Sequence, residues 1–317
     1  MLNMLRLSCV AMLCAMLFVP AAFAQAPIAA GEPTRIVGSD DYPLMRPVFS
    51  PIGDRIAVSG SNFAGLYLVN LETQELSRLT DEASAGYGAE WSHDGSAILT
   101  RVAQIDGVRR QHAVKLFDAY TRQVEQLTEY RPSMRSLPRW APDGARVYLP
   151  ADDRVEVLDA GARVASKTVD AGARTMLVTN GALAATSATD ATPRVVERAE
   201  RDILRVATSR DGQRVAYEVL GGNLFVMNVD GSGKVDLGLG EAARFSPDGE
   251  WVVFMRTEDD GYQITGSDLF AARVSDGQVF RLTDSPDRIE MNPDWSPDGN
   301  AIVYDDRGAV YLLPLQR

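Results

Sequence analysis

The stretch "NPDWSPDGNAIVYDD", residues 292–306, sets a tryptophan, a rigid Ser-Pro-Asp-Gly turn and an alternating apolar run side by side. Near-copies of its centre recur as "FSPIG" (49–53), "WSHDG" (91–95), "WAPDG" (140–144), "TSRDG" (208–212), "FSPDG" (245–249) and "WSPDG" (295–299). Their glycines lie 42, 49, 68, 37 and 50 residues apart, the period of propeller blades rather than of helical solenoids. The third residue beyond each glycine is β-branched, in order Ile56, Ile98, Val147, Val215, Val252 and Ile302, as suits a packed strand. A second apolar run follows in each unit, as "LYLVN", "VKLFD", "VEVLD", "LFVMN", "LFAAR" and "VYLLP", and several units add a third such as "LSRLT", "VEQLT" or "VFRLT". Apolar runs joined by polar turns, without helical periodicity after the first residues, predict an all-β fold: a β-propeller with blades of up to four antiparallel strands.

Turn chemistry accounts for the phrase. Proline fixes one dihedral, Asp-Gly supplies tight hairpin geometry, and the preceding aromatic packs the innermost strand between neighbouring blades. The repeated aspartate therefore reads as a turn residue and not as a metal ligand. Blade number depends on the 68-residue gap, where "LVTNG" (177–181), "ALAATSAT" (182–189) and "RVVER" (194–198) form a unit short of one strand. Seven blades result; the alternative is six, with an insertion around 150–200. Because "RIVGSDDYPLMRPVF" repeats the layout of "RLTDEASAGYGAEW", the strand near Arg35 to Val37 is expected to complete the last blade and tie the chain ends together.

Residues 1–24 have the plan of a signal peptide: Arg6, the short apolar core "LSCVAMLCAMLFV" (7–19), and Ala22-Phe23-Ala24 as a cleavage site. That core is too short to span a bilayer of about 30 Å, so no transmembrane anchor is expected in the mature chain. A short segment, 25–33, then precedes a single propeller domain, 34–317. Both cysteines, Cys9 and Cys14, fall in the removed segment, which excludes disulfides, cysteine nucleophiles and thiolate metal sites from the mature protein. With 43 acidic against 32 basic residues the formal net charge is −11. Such a surface repels nucleic acid and keeps an exported protein in solution.

The aromatic-Ser-Pro-Asp-Gly repeats resemble those of the TolB-like propeller family over essentially all of 34–317, without the domain that precedes the propeller in TolB itself. The resemblance implies a periplasmic or secreted propeller that binds a protein or peptide of the cell envelope, and a monomer is expected. Residue chemistry points the same way. There is no G-x-S-x-G elbow. His93 and His112 are the only histidines; the first stands inside a blade turn, and the second lies near the loop sequence "DGVRRQH" without an identified partner. Propeller lyases such as oligogalacturonate lyase are similar in repeat style but use a histidine-rich metal site that two scattered histidines cannot reproduce. No catalytic residue, metal or cofactor is therefore assigned. The alternative is a carbohydrate- or peptide-processing propeller enzyme with a carboxylate or metal site in the channel.

In a propeller the connections between second and third strands share one face with those linking one blade to the next. Members rich in interface-prone residues are 103–112, 128–136, 257–268 and 283–291. Aromatics and arginines on the loops of that face, notably Tyr87, Tyr130, Arg131, Arg135, Tyr262 and Arg288, are the expected partner-binding set. The residues just before the aromatic anchors, among them Glu90, Arg139, Arg244 and Asp294, alternate in sign between adjacent blades. Strand alternation sends them toward the axis, where two ion pairs, Glu90 with Arg139 and Arg244 with Asp294, are expected.

Overall fold

A computed structural model describes residues 25–38, 42–151, 154–161, 163, 174–187 and 190–316. The signal peptide expected at 1–24 lies outside the described residues. Seven antiparallel sheets follow one another along the chain and form the blades of a ring. Blade 1 comprises Leu44–Phe49, Arg55–Gly60, Leu66–Asn70 and Leu76–Thr80. Blade 2 comprises Glu90–Trp91, Ala97–Asp106, Arg109–Asp118 and Val124–Gln126. Blades 5 and 6 also have four strands, beginning with Ile203–Thr208 and Glu241–Phe245.

Among the described residues blades 3 and 4 have three strands each. Blade 3 is Arg139–Trp140, Arg146–Ala151 and Arg154–Asp159; blade 4 is Arg174–Thr179, Ala182–Ser187 and Arg194–Glu197. The unit expected inside the 68-residue gap is thus a blade, but its first turn differs from the others. Asn180 and Gly181, at φ 48° and 70°, form a two-residue hairpin that pairs Thr179 directly with Ala182. Asn-Gly suits a turn that needs positive φ at both central positions.

In blades 2, 5, 6 and 7 the turn is held by its serine and aspartate. The Ser296 hydroxyl donates to Asp298 at 2.5 Å and accepts the Ala301 N–H at 2.9 Å, while Asp298 also accepts from the Asn300 N–H at 3.0 Å. Gly299, at φ 75°, permits the turn to close. Blades 2, 5 and 6 repeat the serine–aspartate bond at Ser92, Ser209 and Ser246. Blade 3, with Ala141 at that position, substitutes an ion pair from Arg146 to Asp143 at 2.5 Å. The Ser296 hydroxyl and the Asn300 amide hold Asp298 below the usual carboxylate range, so this carboxylate serves the turn.

Ile56, Ile98, Val147, Val215, Val252 and Ile302 are all fully buried. The aromatic anchors face the preceding blade. Trp91 packs with Ala57, Leu66 and Leu68 of blade 1 and donates from its indole to the Val48 carbonyl at 3.2 Å. Trp140 packs on Leu99 and Val114 of blade 2, and Trp295 on Trp251 and Val253 of blade 6. Ring closure uses Thr34–Gly38, which pairs with the last strand, Ala309–Gln316. The segment before it also contributes: Ile28–Ala29 pairs with Gln316 and Leu315 of the same strand. Blade 7 is thereby built from both ends of the described chain. No helix among the described residues is long and apolar enough to cross a membrane.

Candidate binding site

Up-and-down pairing puts the Ser-Pro-Asp-Gly turns on one face, the turn face, and the hairpins and blade-to-blade connections on the other, the loop face. Two stretches expected as loops, 103–112 and 257–268, are mostly strand. Ala97–Asp106 and Arg109–Asp118, ten residues each, pair to their ends, as Trp251–Asp259 does with Ile264–Arg273. These hairpins of blades 2 and 6 run past the ring, where both sides of the ribbon meet solvent. Their outer residues consequently lack the polar–apolar alternation that marks a half-buried strand. Val108 and Tyr262, at the two tips, are each 99% exposed.

The partner-binding set expected from sequence divides by environment. Tyr262 and Arg135 are exposed, and Tyr87 is 38% exposed, packed edge-on against Phe63 with ring centres 5.0 Å apart. Tyr130 is half-buried: its hydroxyl donates to Glu82 at 3.3 Å, and the Lys115 ammonium, paired with Glu82 at 2.8 Å, lies 5.5 Å from its ring. Arg131 reaches both carboxylate oxygens of Glu156 in blade 3, at 2.8 and 2.7 Å. Arg288 donates to the Tyr304 hydroxyl at 3.2 Å and lies over the Tyr311 ring. Tyr130, Arg131 and Arg288 thus fasten connections to blades. His112 is likewise not on a free loop but within a strand, its backbone paired with that of Arg131 through two 2.8 Å bonds. Burial, with Arg101 and Arg110 nearby, lowers its pKa.

The two axial ion pairs form. Arg139 approaches Glu90 to 3.7 Å, and Arg244 approaches Asp294 to 3.6 Å. Arg139 also donates to the Val206 carbonyl at 2.8 Å, connecting blade 3 to blade 5 across the channel side of blade 4. Two residues before the corresponding positions of blades 1, 5 and 7 (Val48, Ala207 and Asp294) lie groups that the sequence reading missed: Arg46, Arg205 and Asn292. Carrying the alternation one more step upstream would have found Arg205, whereas Arg46 and Asn292 lie inside register shifts that interrupt it. Each of these innermost strands contains a register shift there, and Arg46, Ala242 and Asn292 have φ of 53°, 55° and 50°. Gly88 holds the same position in blade 2 at φ 74°.

Arg46, Arg205, Arg244, Asn292, Ala242 and Gly88 line a cavity of about 80 Å³ at the loop-face mouth of the channel. Its walls come mainly from blades 6, 7, 1 and 2, so the two extended hairpins stand at the ends of that arc. Acidic groups lie behind the arginines. Asp305 accepts the Arg46 N–H at 2.9 Å and the Asn292 amide at 3.0 Å; Asp294 accepts the Phe49 N–H at 2.8 Å; Glu218 accepts the Ala242 N–H at 3.3 Å. Burial pushes Asp305 up to about 7 and Asp294 up to about 6, and it raises Glu218 as well. Burial, reinforced by Arg205, lowers Arg46 to about 10; Arg244 is lowered by burial too, against the pull of Asp294. Among the described residues no group of three His, Cys, Asp or Glu side chains could hold a metal ion.

No protein-family model matches the chain. A curated protein of Agrobacterium fabrum, "Uncharacterized protein Atu1656", is 25% identical over 236 residues, covering 66% of this chain and 78% of that protein. Among solved structures, oligogalacturonate lyase from Vibrio parahaemolyticus is similar with a TM-score of 0.50 and 14% identity, over 90% of this chain and 95% of that one. TolB from Acinetobacter baumannii is similar with a TM-score of 0.50 and 13% identity, over 86% of this chain and 63% of that one. At these identities the likeness is one of fold: the chain is a seven-bladed propeller of TolB-like architecture.

Proposed function

We propose that this protein is an exported, non-catalytic β-propeller that binds a protein or peptide of the periplasm or cell envelope on its loop face. The observation that carries this reading is the arrangement of that face. Two extended hairpins with exposed Ile105, Val108 and Tyr262 bracket an arc in which Tyr87, Phe63, Arg46 and Arg101 are assembled around the channel mouth. Aromatic and arginine side chains held by a rigid scaffold are the groups that dominate protein recognition. The TolB-like fold and the expected signal peptide fit this role, and Tyr262 and Arg135 remain free to meet a partner from the loop face.

Site-specific photo-crosslinking tests it. A photoreactive residue at Tyr262 or Tyr87 should give discrete adducts in the cell-envelope fraction, whereas one at Asn300 on the turn face should give none. Equal labelling from the two faces, or no adducts from the loop face, would overturn the reading.

A further inference from the structure

We propose that the cavity at the channel mouth is a carboxylate-binding pocket. In it Arg46, Arg205 and Arg244 grip an acidic side chain or a chain-terminal carboxylate of the partner. The inference rests on the reading of the protein as a protein or peptide binder, and it names the group by which that partner is anchored.

Three observations carry it. First, Arg46, Arg205 and Arg244 line one cavity and repel one another, yet none donates a hydrogen bond to a carboxylate among the described residues. Arg46 makes no ion pair among the described residues, Arg205 comes no nearer than 3.9 Å to Glu218, and Arg244 no nearer than 3.6 Å to Asp294. Elsewhere in the molecule satisfied pairs close to 2.7 Å at Arg131 and 2.6 Å at Arg281. The guanidinium fork matches a carboxylate through short, charge-assisted bonds, so an anion between these forks would supply what they lack.

Second, the acidic groups behind the arginines are already engaged. Asp305, Glu218 and Asp294 accept the backbone N–H groups of Arg46, Ala242 and Phe49. Arg46 and Ala242 are the left-handed residues of two of the register shifts. Non-glycine residues seldom adopt that conformation, and its repetition at one register position in blades 1, 6 and 7 ties it to the cavity that those blades enclose. The shifted backbone thus draws the acids toward amides, while Arg46, with its guanidinium over the Phe63 and Tyr87 rings at 4.8 and 5.8 Å, lines the cavity with Arg205 and Arg244.

Third, the size is selective. The cavity, about 80 Å³, is small but has room for a carboxylate. Pockets for whole small molecules run to roughly 300–1,000 Å³. The occupant is therefore one group projecting from a larger body. Trp91, Pro47 and Pro293 supply apolar wall around it, which strengthens a charge-assisted bond by excluding water.

The test is an NMR titration of the arginine Nε–H resonances of the mature chain at constant ionic strength. N-acetylglycine is the probe for a chain terminus, the N-methylamide of acetylglutamate the probe for an acidic side chain, N-acetylglycinamide the neutral control and inorganic phosphate the competing anion. At least one carboxylate probe should shift these resonances saturably, the tighter of the two naming the source, while the neutral control leaves them in place. Arg46→Gln and Arg205→Gln should each weaken that binding about ten-fold, the loss of one charge-assisted hydrogen bond. No saturable shift with either carboxylate, an equal shift with N-acetylglycinamide, saturation by phosphate alone, or unchanged affinity in both variants would each refute the pocket. The wild-type titration decides the matter even if a variant does not fold. Crosslinked partners together with an unresponsive pocket would sink this inference and leave the binding function standing.

Discussion

Asp305 is held among Arg46, Asn292 and its neighbour Asp306, and burial raises its pKa to about 7 from the ordinary 3.8. A carboxyl whose folded pKa is raised stabilises the fold fully below its unfolded value, and that contribution is lost as pH rises through the folded one. Between about pH 4 and pH 7 the native state therefore holds a proton that the unfolded chain has released, at up to about 1.4 kcal/mol per pH unit. Asp305→Asn keeps the acceptor for the Arg46 N–H and removes the titration. It should raise Tm at pH 8 by a few degrees and flatten the decline of Tm between pH 5 and 8; an unaltered pH profile would remove Asp305 from the account. Arg139 is the complementary case, because it serves both Glu90 and the Val206 carbonyl. Glu90 Oε2 is buried without a hydrogen-bond partner and faces the Arg139 guanidinium at 3.7 Å; Arg139→Ala removes that countercharge, whereas replacing Glu90 and Arg139 together by apolar residues strands no charge. Urea unfolding should show a loss of about 1–3 kcal/mol for the single change and a smaller loss for the pair. Both members of this pair were legible from the residue before each aromatic anchor. Arg46 was not, since it lies inside a register shift that no local pattern announces; Arg205, in unbroken register with Ala207, was within reach of the same alternation.

The repeated turn and the long hairpins show how differently two elements can be read. In the turn every requirement is local: glycine for positive φ, aspartate for the backbone amides, serine to join the aspartate to the next strand. Ser296→Ala should cost about 1 kcal/mol in urea unfolding, by losing the bonds to Asp298 and Ala301. The binding set should be indifferent, because the turn lies on the opposite face. The hairpins of blades 2 and 6 depend instead on pairing beyond the ring. Their outer halves carry "QIDGVRRQ" and "EDDGYQIT", whose composition reads as loop. Only the partner strand, which satisfies the backbone along the whole ribbon, makes them strands. Blade 4 is intermediate: "TNG" announced a turn, but the two-residue geometry followed from how Arg174–Thr179 and Ala182–Ser187 pair.

Closure involves the entire ring. Ala309–Gln316 receives both Thr34–Gly38 and Ile28–Ala29, and Phe49, Ile56 and Val58 of blade 1 share a core with Val303 and Val310 of blade 7. A chain beginning at residue 39 should lose the outer strands of blade 7, melt several degrees lower and self-associate through the bared edge. Calorimetry and size-exclusion chromatography check this, and a monomer with the melting temperature of the longer chain would contradict it. Fold class, blade period, the buried β-branched positions and the closing strand were all readable along the chain, because each repeats a short-range requirement of turn or strand seven-fold or nearly so. Which loop-face residues are free was not. Tyr130, Arg131 and Arg288 carry the same residue types as Tyr87 and Tyr262, but their partners Glu82, Glu156 and Tyr304 lie 48, 25 and 16 residues away. The arginine-lined cavity is the extreme instance. It joins residues from Arg46 to Pro293, and charges so far apart in sequence meet only when closure of the ring brings blades 5, 6, 7, 1 and 2 around one axis.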